Sequence, residues 1–346
     1  MFAQDQLRLP VSALAVLVFV VGLVAIPVSA QYTVTNLVSS QAGQAKYQDA
    51  DLINAWGIAY APSGALGVTD AGSGLTTFYG AKGVKQSVVI TIPAVSSKHH
   101  GTPTGIVYNG TTDFQISQGG KSGPATFIFD TIDGTISGWN ASVNPSTAVI
   151  VVNNSGSAGY TGLAIGVYKG HNYIYAANHT KNAVEMYDDS FVLVKSFTDP
   201  NLPSGSGPFN VQNINGRLFV AYTIPKVGGA VDIFSLDGTL IKTLISATSV
   251  LTGPWGLALA PKNFGPASKA LLVGNLNNGR INAFNATTGQ LIGPLTNTSG
   301  KIIVESQLWA TTFGGGTAKN GKTNQLFFAA GPNDEKAGLF GVISFK

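Results

Sequence analysis

From Tyr32 onward the chain alternates short apolar runs with Gly, Asn, Asp and Pro, and almost no stretch carries the three-to-four-residue spacing of an amphipathic helix. That pattern predicts an all-β protein. One strand-opening motif recurs: Ala55-Trp56-Gly57-Ile58-Ala59, Pro103-Thr104-Gly105-Ile106-Val107, Tyr160-Thr161-Gly162-Leu163-Ala164, Pro208-Phe209-Asn210-Val211, Pro254-Trp255-Gly256-Leu257-Ala258 and Leu308-Trp309-Ala310. With Trp56, Thr104, Thr161, Phe209, Trp255 and Trp309 as marks, the steps are 48, 57, 48, 46 and 54 residues. The fourth and sixth copies lack the glycine.

Each mark opens the same series. A second apolar strand follows at Asn172–Ala177, Arg217–Tyr222, Ala270–Gly274 and Gln325–Ala330. A third is expected at Ala183–Tyr187, Ala230–Phe234, Arg280–Phe284 and Gly338–Gly341, and a fourth at Phe191–Phe197, Leu240–Leu244 and Gln290–Leu295. Four strands per unit, repeated six times, predict a six-bladed β-propeller over residues 31–346. The sixth unit runs out of chain after its third strand. Tyr32–Val38, a strand with no unit of its own, is expected to complete that blade by pairing with 339–345 and so close the ring. The competing arrangement is an open solenoid, which needs polar caps that neither end shows.

Residues 1–30 read as a signal peptide. Arg8 precedes an apolar run from Val11 to Val28, and Val28-Ser29-Ala30 supplies small residues for cleavage. An uncleaved membrane anchor is the rival, since about 18 apolar residues can just span a bilayer; Pro27 beside the Ser-Ala pair favours cleavage. The expected product is a secreted, extracellular monomer beginning at Gln31, with no membrane contact after cleavage. Only 10% of residues are charged and the net charge is +4, with Lys and Arg scattered. Nucleic acid is therefore not an expected partner. The chain has no cysteine, which removes disulfides, thiolate metal sites and cysteine nucleophiles; a chain of this length can bury a sufficient core without them. Six glycosylation sequons start at Asn109, Asn140, Asn153, Asn178, Asn285 and Asn297, and several are expected on surface turns of a glycoprotein.

The stretches "RLFVAYTIPKVGGAVDIFS" and "ALLVGNLNNGRINAFN" resemble NHL-type propeller repeats. "DPNLPSGSGPFNVQNINGRLFVAY", "GPWGLALAPKNFGPASKALLVGNLNNGRINAFNATTGQLIG" and "FFAAGPNDEKAGLFG" resemble a family of secreted propeller proteins without assigned function, some bacterial members of which carry a PEP-CTERM sorting tail. The sequence ends at Lys346 without that tail, so simple secretion is the expectation. The resemblance implies a fold and an address and supplies no reaction.

In a propeller the marks gather at one mouth of the central channel. Trp56, Trp255 and Trp309, with Phe209 and the amides of Asn54 and Asn210, form the candidate ligand site: flat aromatic faces beside amides suit a carbohydrate or another small molecule. The same rings could instead wedge between blades and pack the ring shut. A second polar set, Asp70, Asn178, Asn275 and Asn333-Asp334-Glu335, falls in turns between second and third strands. Asp70, Asn210, Asn275 and Asp334 or Glu335 could hold calcium through oxygen ligands, although Asn and Asp are common in such turns for local hydrogen bonding alone. Calcium-dependent lactonases of similar architecture place a glutamate near the first inner strand, where this chain has Asp49, Asp51 and Asn54. No cofactor is firmly implied.

His99-His100 is expected to be a solvent-exposed loop pair. The chain has no Gly-x-Ser-x-Gly elbow, His-Glu-x-x-His helix or phosphate loop, and the Gly-rich Phe313–Gln325 is expected as a mobile loop over the mouth. This paucity of positioned acids, bases and nucleophiles points to a non-enzymatic binding or scaffold protein, with a calcium-dependent lactonase-type hydrolase as the alternative.

Overall fold

The computed structural model describes residues 32–96 and 100–345. The expected signal peptide and His99 lie outside the described residues. Within them, six antiparallel blades follow one another. Blade 1 comprises Ala55–Ala59, Leu66–Asp70, Leu75–Tyr79 and Lys85–Thr91; blade 2 comprises Pro103–Tyr108, Phe127–Thr131, Thr135–Trp139 and Val149–Asn153. Blade 3 is Tyr160–Tyr168, His171–Asn178, Ala183–Tyr187 and Leu193–Phe197, and blade 4 is Gly207–Ile214, Arg217–Ile224, Gly228–Phe234 and Leu240–Thr248. Blade 5 is Pro254–Leu259, Ala270–Asn275, Ile281–Asn285 and Leu291–Pro294. Blade 6 takes Leu308–Phe313, Gln325–Ala330 and Leu339–Phe345 from one end of the chain and Tyr32–Ser39 from the other. The first strand of each of blades 1 to 5 hydrogen-bonds only one neighbour in its own sheet, and packs against the first strand of the next blade. The fold is the six-bladed propeller that the repeats predict.

Leu339–Phe345 is paired on both sides, by Gln325–Ala330 and by Tyr32–Ser39. The second ladder runs antiparallel from Tyr32 opposite Phe345 to Ser39 opposite Leu339, with a bulge at Asn36–Val38. Tyr32 locks its outer end: the phenol donates to Phe264 O at 2.6 Å and accepts from Ala267 N at 3.1 Å, and so ties blade 6 to a short 3-10 turn of blade 5.

The motif glycine has a steric cause. A Cβ at Gly57 would stand 2.5 Å from Thr104 O, and one at Gly256 would stand 2.8 Å from Trp309 O. One at Gly105 would strike Leu163 N, and one at Gly162 would strike the Asn210 side chain. Each glycine thus lets one inner strand lie directly against the next. Polar side chains bind the seams: Thr69 Oγ1 accepts from Gly57 N and donates to Thr104 O, both at 2.7 Å, while Thr104 Oγ1 donates to Tyr160 O at 2.9 Å. Asn210, which replaces the glycine in the fourth copy, donates to Trp255 O at 2.8 Å.

Two features differ from the sequence expectations. Blade 2 carries an extra hairpin, Gln115–Gln118 with Lys121–Pro124, which accounts for the long 57-residue step. The Gly-rich segment does not cover the mouth where the marks lie. It joins the first two strands of blade 6 and so lies on the opposite face, pinned to blade 1 by Asn320 Nδ2 donating to Pro62 O (3.0 Å) and by Ala81 N donating to Lys319 O (2.8 Å). Asn320 is fully buried, which the expected mobility does not fit. Among the described residues no helix is long and apolar enough to cross a membrane.

Candidate functional site

The upper face is taken as the one where the inner strands begin. There the four aromatic marks turn inward and meet across the axis. Trp56 of blade 1 stacks on Trp309 of blade 6 with ring centroids 3.4 Å apart and planes 16° apart. Trp255 of blade 5 meets Trp309 edge-on at 6.4 Å, and Phe209 of blade 4 packs on it at 5.7 Å. Blades 2 and 3 present the small Thr104 and Thr161 at the same level, which leaves the rings room. The Trp255 indole donates to Thr161 O at 2.6 Å, across the axis. The cluster therefore plugs the channel from within. Trp56, Trp255 and Trp309 are 4%, 6% and 2% exposed, so no indole offers the open face that a sugar-stacking mouth requires. Phe209, half-buried, keeps contact with solvent and packs against His179 at 5.7 Å.

The amides of the candidate site serve the plug. Asn54 Oδ1 accepts from the Trp309 indole at 2.9 Å, and Asn54 Nδ2 donates to Glu335 Oε2 at 2.9 Å. Asn210 is buried between Trp255 O and Val211 N. The network thus runs from the plug outward through Asn54 to Glu335.

Glu335 belongs to an unusual turn. Asn333, Asp334 and Glu335 have φ of 62°, 52° and 63°, and Asn54 and Gln307 beside them have 50° and 53°. Left-handed backbone costs an L-residue about 1–2 kcal/mol, so five such residues at one place need the surrounding bonds to hold them. Gly331 N donates to Gln307 O, Asn54 N to Ala337 O, and Glu335 N to both Gly331 O and Gln307 Oε1. The turn forms one wall of an open cleft of 520 Å³ in which Asn277, Ser306, Gln307, Asn333, Asp334 and Glu335 present amide, hydroxyl and carboxylate groups. A second cleft of 490 Å³ lies beside it, over blades 3 to 5, walled by His179, Thr223, Lys226, Thr252 and again Asn277. Asn277, exposed at the tip of blade 5, stands between the two.

The residues considered for calcium are engaged one by one rather than gathered. Asp70 is fully buried; its Oδ2 accepts from Thr77 Oγ1 at 2.8 Å, and burial holds its carboxyl well above the usual carboxylate range. Asn275 Oδ1 accepts from Thr252 N and its Nδ2 donates to Val273 O and Arg280 O. Glu335 is bonded to Asn54, and Asp334 is exposed. Among the described residues there is no group of three or more His, Asp or Glu that could hold a metal ion. Asn277 and Gln307, which the sequence does not single out, line the clefts instead, together with His179, which follows Asn178 in its sequon. Their only signal is position, one or two residues after the second strand or directly before the inner one. Of the six sequons, Asn153 and Asn285 are exposed and Asn140 and Asn297 half-buried, while Asn109 and Asn178 are buried.

Besides Asp70, the buried Asp130 and Asp232 and the half-buried Glu305 bear on stability. Burial raises Asp130 to about 6; burial, then the charge of Asp199, raises Asp232 to about 7; burial alone raises Glu305, which precedes Ser306 of the cleft, to about 7. A folded pKa above the unfolded one gives stability that is complete below the unfolded value and is lost as pH rises through the folded one. The melting temperature should accordingly fall between pH 5 and pH 8. Asp232→Asn removes one of these titrating carboxyls and should flatten that slope. Thermal melts of both proteins across this range check it, and parallel pH profiles would contradict the assignment.

No family model matches the chain. It is 29% identical over 329 residues to "Uncharacterized protein R648" of Acanthamoeba polyphaga mimivirus, covering 90% of this chain and 80% of that one. It is 30% identical over 298 residues to "Uncharacterized protein L690" of the same virus, covering 80% and 77%. Among solved structures it superposes on streptogramin B lyase with a TM-score of 0.54 at 12% identity, covering 91% of this chain and 97% of that chain. On selenomethionine-substituted virginiamycin B lyase from Staphylococcus aureus the TM-score is 0.53 at 13% identity, covering 91% and 100%. At such identities the likeness extends to the fold alone. The relation to L690, close in sequence and broad in coverage, goes further, and the chain belongs to the same family as that uncharacterised mimivirus protein.

Proposed function

We propose that this chain is a secreted, non-enzymatic binding protein that takes a small polyhydroxylated ligand, of which carbohydrate is the fitting class, on its upper face. The observation that carries the reading is the pair of open clefts meeting at Asn277 and walled by amides, hydroxyls and carboxylates. Such groups supply both donors and acceptors to a sugar's hydroxyls. The aromatic plug beneath gives them a rigid base, and pre-organised partners lower the ordering cost of binding. Phe209, half-exposed beside His179, is the ring left to meet an apolar sugar face.

The test uses protein collected from culture medium, with the N-terminus sequenced and expected at Gln31. A glycan array should return a defined set of hits, and calorimetry on the best of them should show at least a tenfold loss of affinity in Asn277→Ala, about 1.4 kcal/mol. Melting should be unchanged, because Asn277 is exposed. An empty array would defeat the carbohydrate reading. Calcium retained without chelator, together with lactone hydrolysis, would replace binding by the hydrolase alternative.

A further inference from the structure

We propose that the lower face carries a second ligand site, between blades 1 and 2, that accepts a small aromatic carboxylate. This pocket shares no residue with the upper clefts, so it stands or falls independently of them. Its volume is 240 Å³. A dry cavity of about 150 Å³ takes up benzene, so the space admits one ring with a short acidic side chain. Phe78, Phe127 and Trp139 make the walls: Phe78 and Phe127 lie 5.3 Å apart, Phe127 and Trp139 6.5 Å. Ala61, Gly64 and Ala65, in and around the first turn of blade 1, add little bulk to the lining. Gly67 lets the Phe78 ring lie over its own sheet, since a Cβ there would stand 2.7 Å from Phe78 Cε1.

One polar feature specifies the ligand's charge. Trp139, the one tryptophan outside the repeat marks, is buried with its indole N–H enclosed, and so gives the wall an apolar ring face. Lys319 is exposed in the lining, its backbone held to blade 1 by the bond from Ala81 N. Among the described residues its ammonium forms no ion pair, and no acidic side chain lines the pocket. An apolar recess with an unneutralised cation in its lining matches a ring that enters first and a carboxylate that stays near Lys319. Gln86 is neutral, and its Nε2 already donates to Val84 O at 2.9 Å.

Hydrocinnamate is the probe, with 3-phenylpropanol as its uncharged counterpart. Calorimetry should detect hydrocinnamate binding to the full chain. Lys319→Met should weaken it about tenfold while leaving the alcohol's affinity unchanged, because only the acid uses the charge. Lys319 is exposed, so its variant should fold as the parent does. No measurable binding at about 10 mM, or equal hydrocinnamate affinity in the parent and Lys319→Met, overturns the proposal.

Discussion

Deleting Tyr32–Ser39 should lower the melting temperature by roughly 12 °C. Tyr32, Leu37 and Val38 are buried, and withdrawing each such side chain costs about 1.5–3 kcal/mol. Taken together the loss is about 6 kcal/mol, and in large domains each kcal/mol moves the midpoint by about 2 °C. The deletion also strips the second ladder from Leu339–Phe345 and leaves an apolar strand edge that can pair with another molecule. Concentration-dependent aggregation should therefore accompany the lower midpoint. Tyr32→Phe isolates the hydroxyl: Phe264 O and Ala267 N lose their partner, and the expected loss is about 1–3 kcal/mol. A truncated protein melting within about 3 °C of the full chain would show that the N-terminal strand does not support blade 6.

The second large effect is expected at Trp309. Trp309→Ala should destabilise by about 3–5 kcal/mol in chemical denaturation. The ring is 2% exposed, stacks on Trp56, supports Trp255 and Phe209, and donates to Asn54. Its removal opens a void on the axis and leaves Asn54 Oδ1 without its donor, so the turn at Asn333–Glu335 should loosen too. A cost under about 1 kcal/mol would mean that the channel closes without these rings, against the picture of a packed plug.

The blades were legible because four-strand periodicity survives even where the motif decays: every inner strand begins within one residue of its expected position. The hairpin of blade 2 was not. Its residues "QISQGGKSGP" are polar, and Ile116 alone among them is deeply buried, so no apolar alternation announces it. The tryptophans were legible as a ring of equivalents, but not in their burial. That depends on Thr104 and Thr161 leaving room from the far side of the axis, a relation between residues that are remote in sequence. The clefts were the least legible part. The 520 Å³ cleft rests on left-handed residues that are Asn, Asp, Glu and Gln rather than glycine, and the sequence gives no mark for a conformation that tertiary bonds impose.

The row of motif glycines sets the gauge of the ring. Where Gly57, Gly105, Gly162 and Gly256 meet the neighbouring inner strand, the missing Cβ fixes how near two blades can stand, and hence the wedge angle between them. Six such wedges must sum to one full turn for the two chain ends to meet in blade 6. A methyl group added at several of these contacts would widen the spacing at each, and the errors would accumulate around the circle toward the last seam. The number of blades is thus written in the absence of side chains at the hub as much as in the count of repeats along the chain.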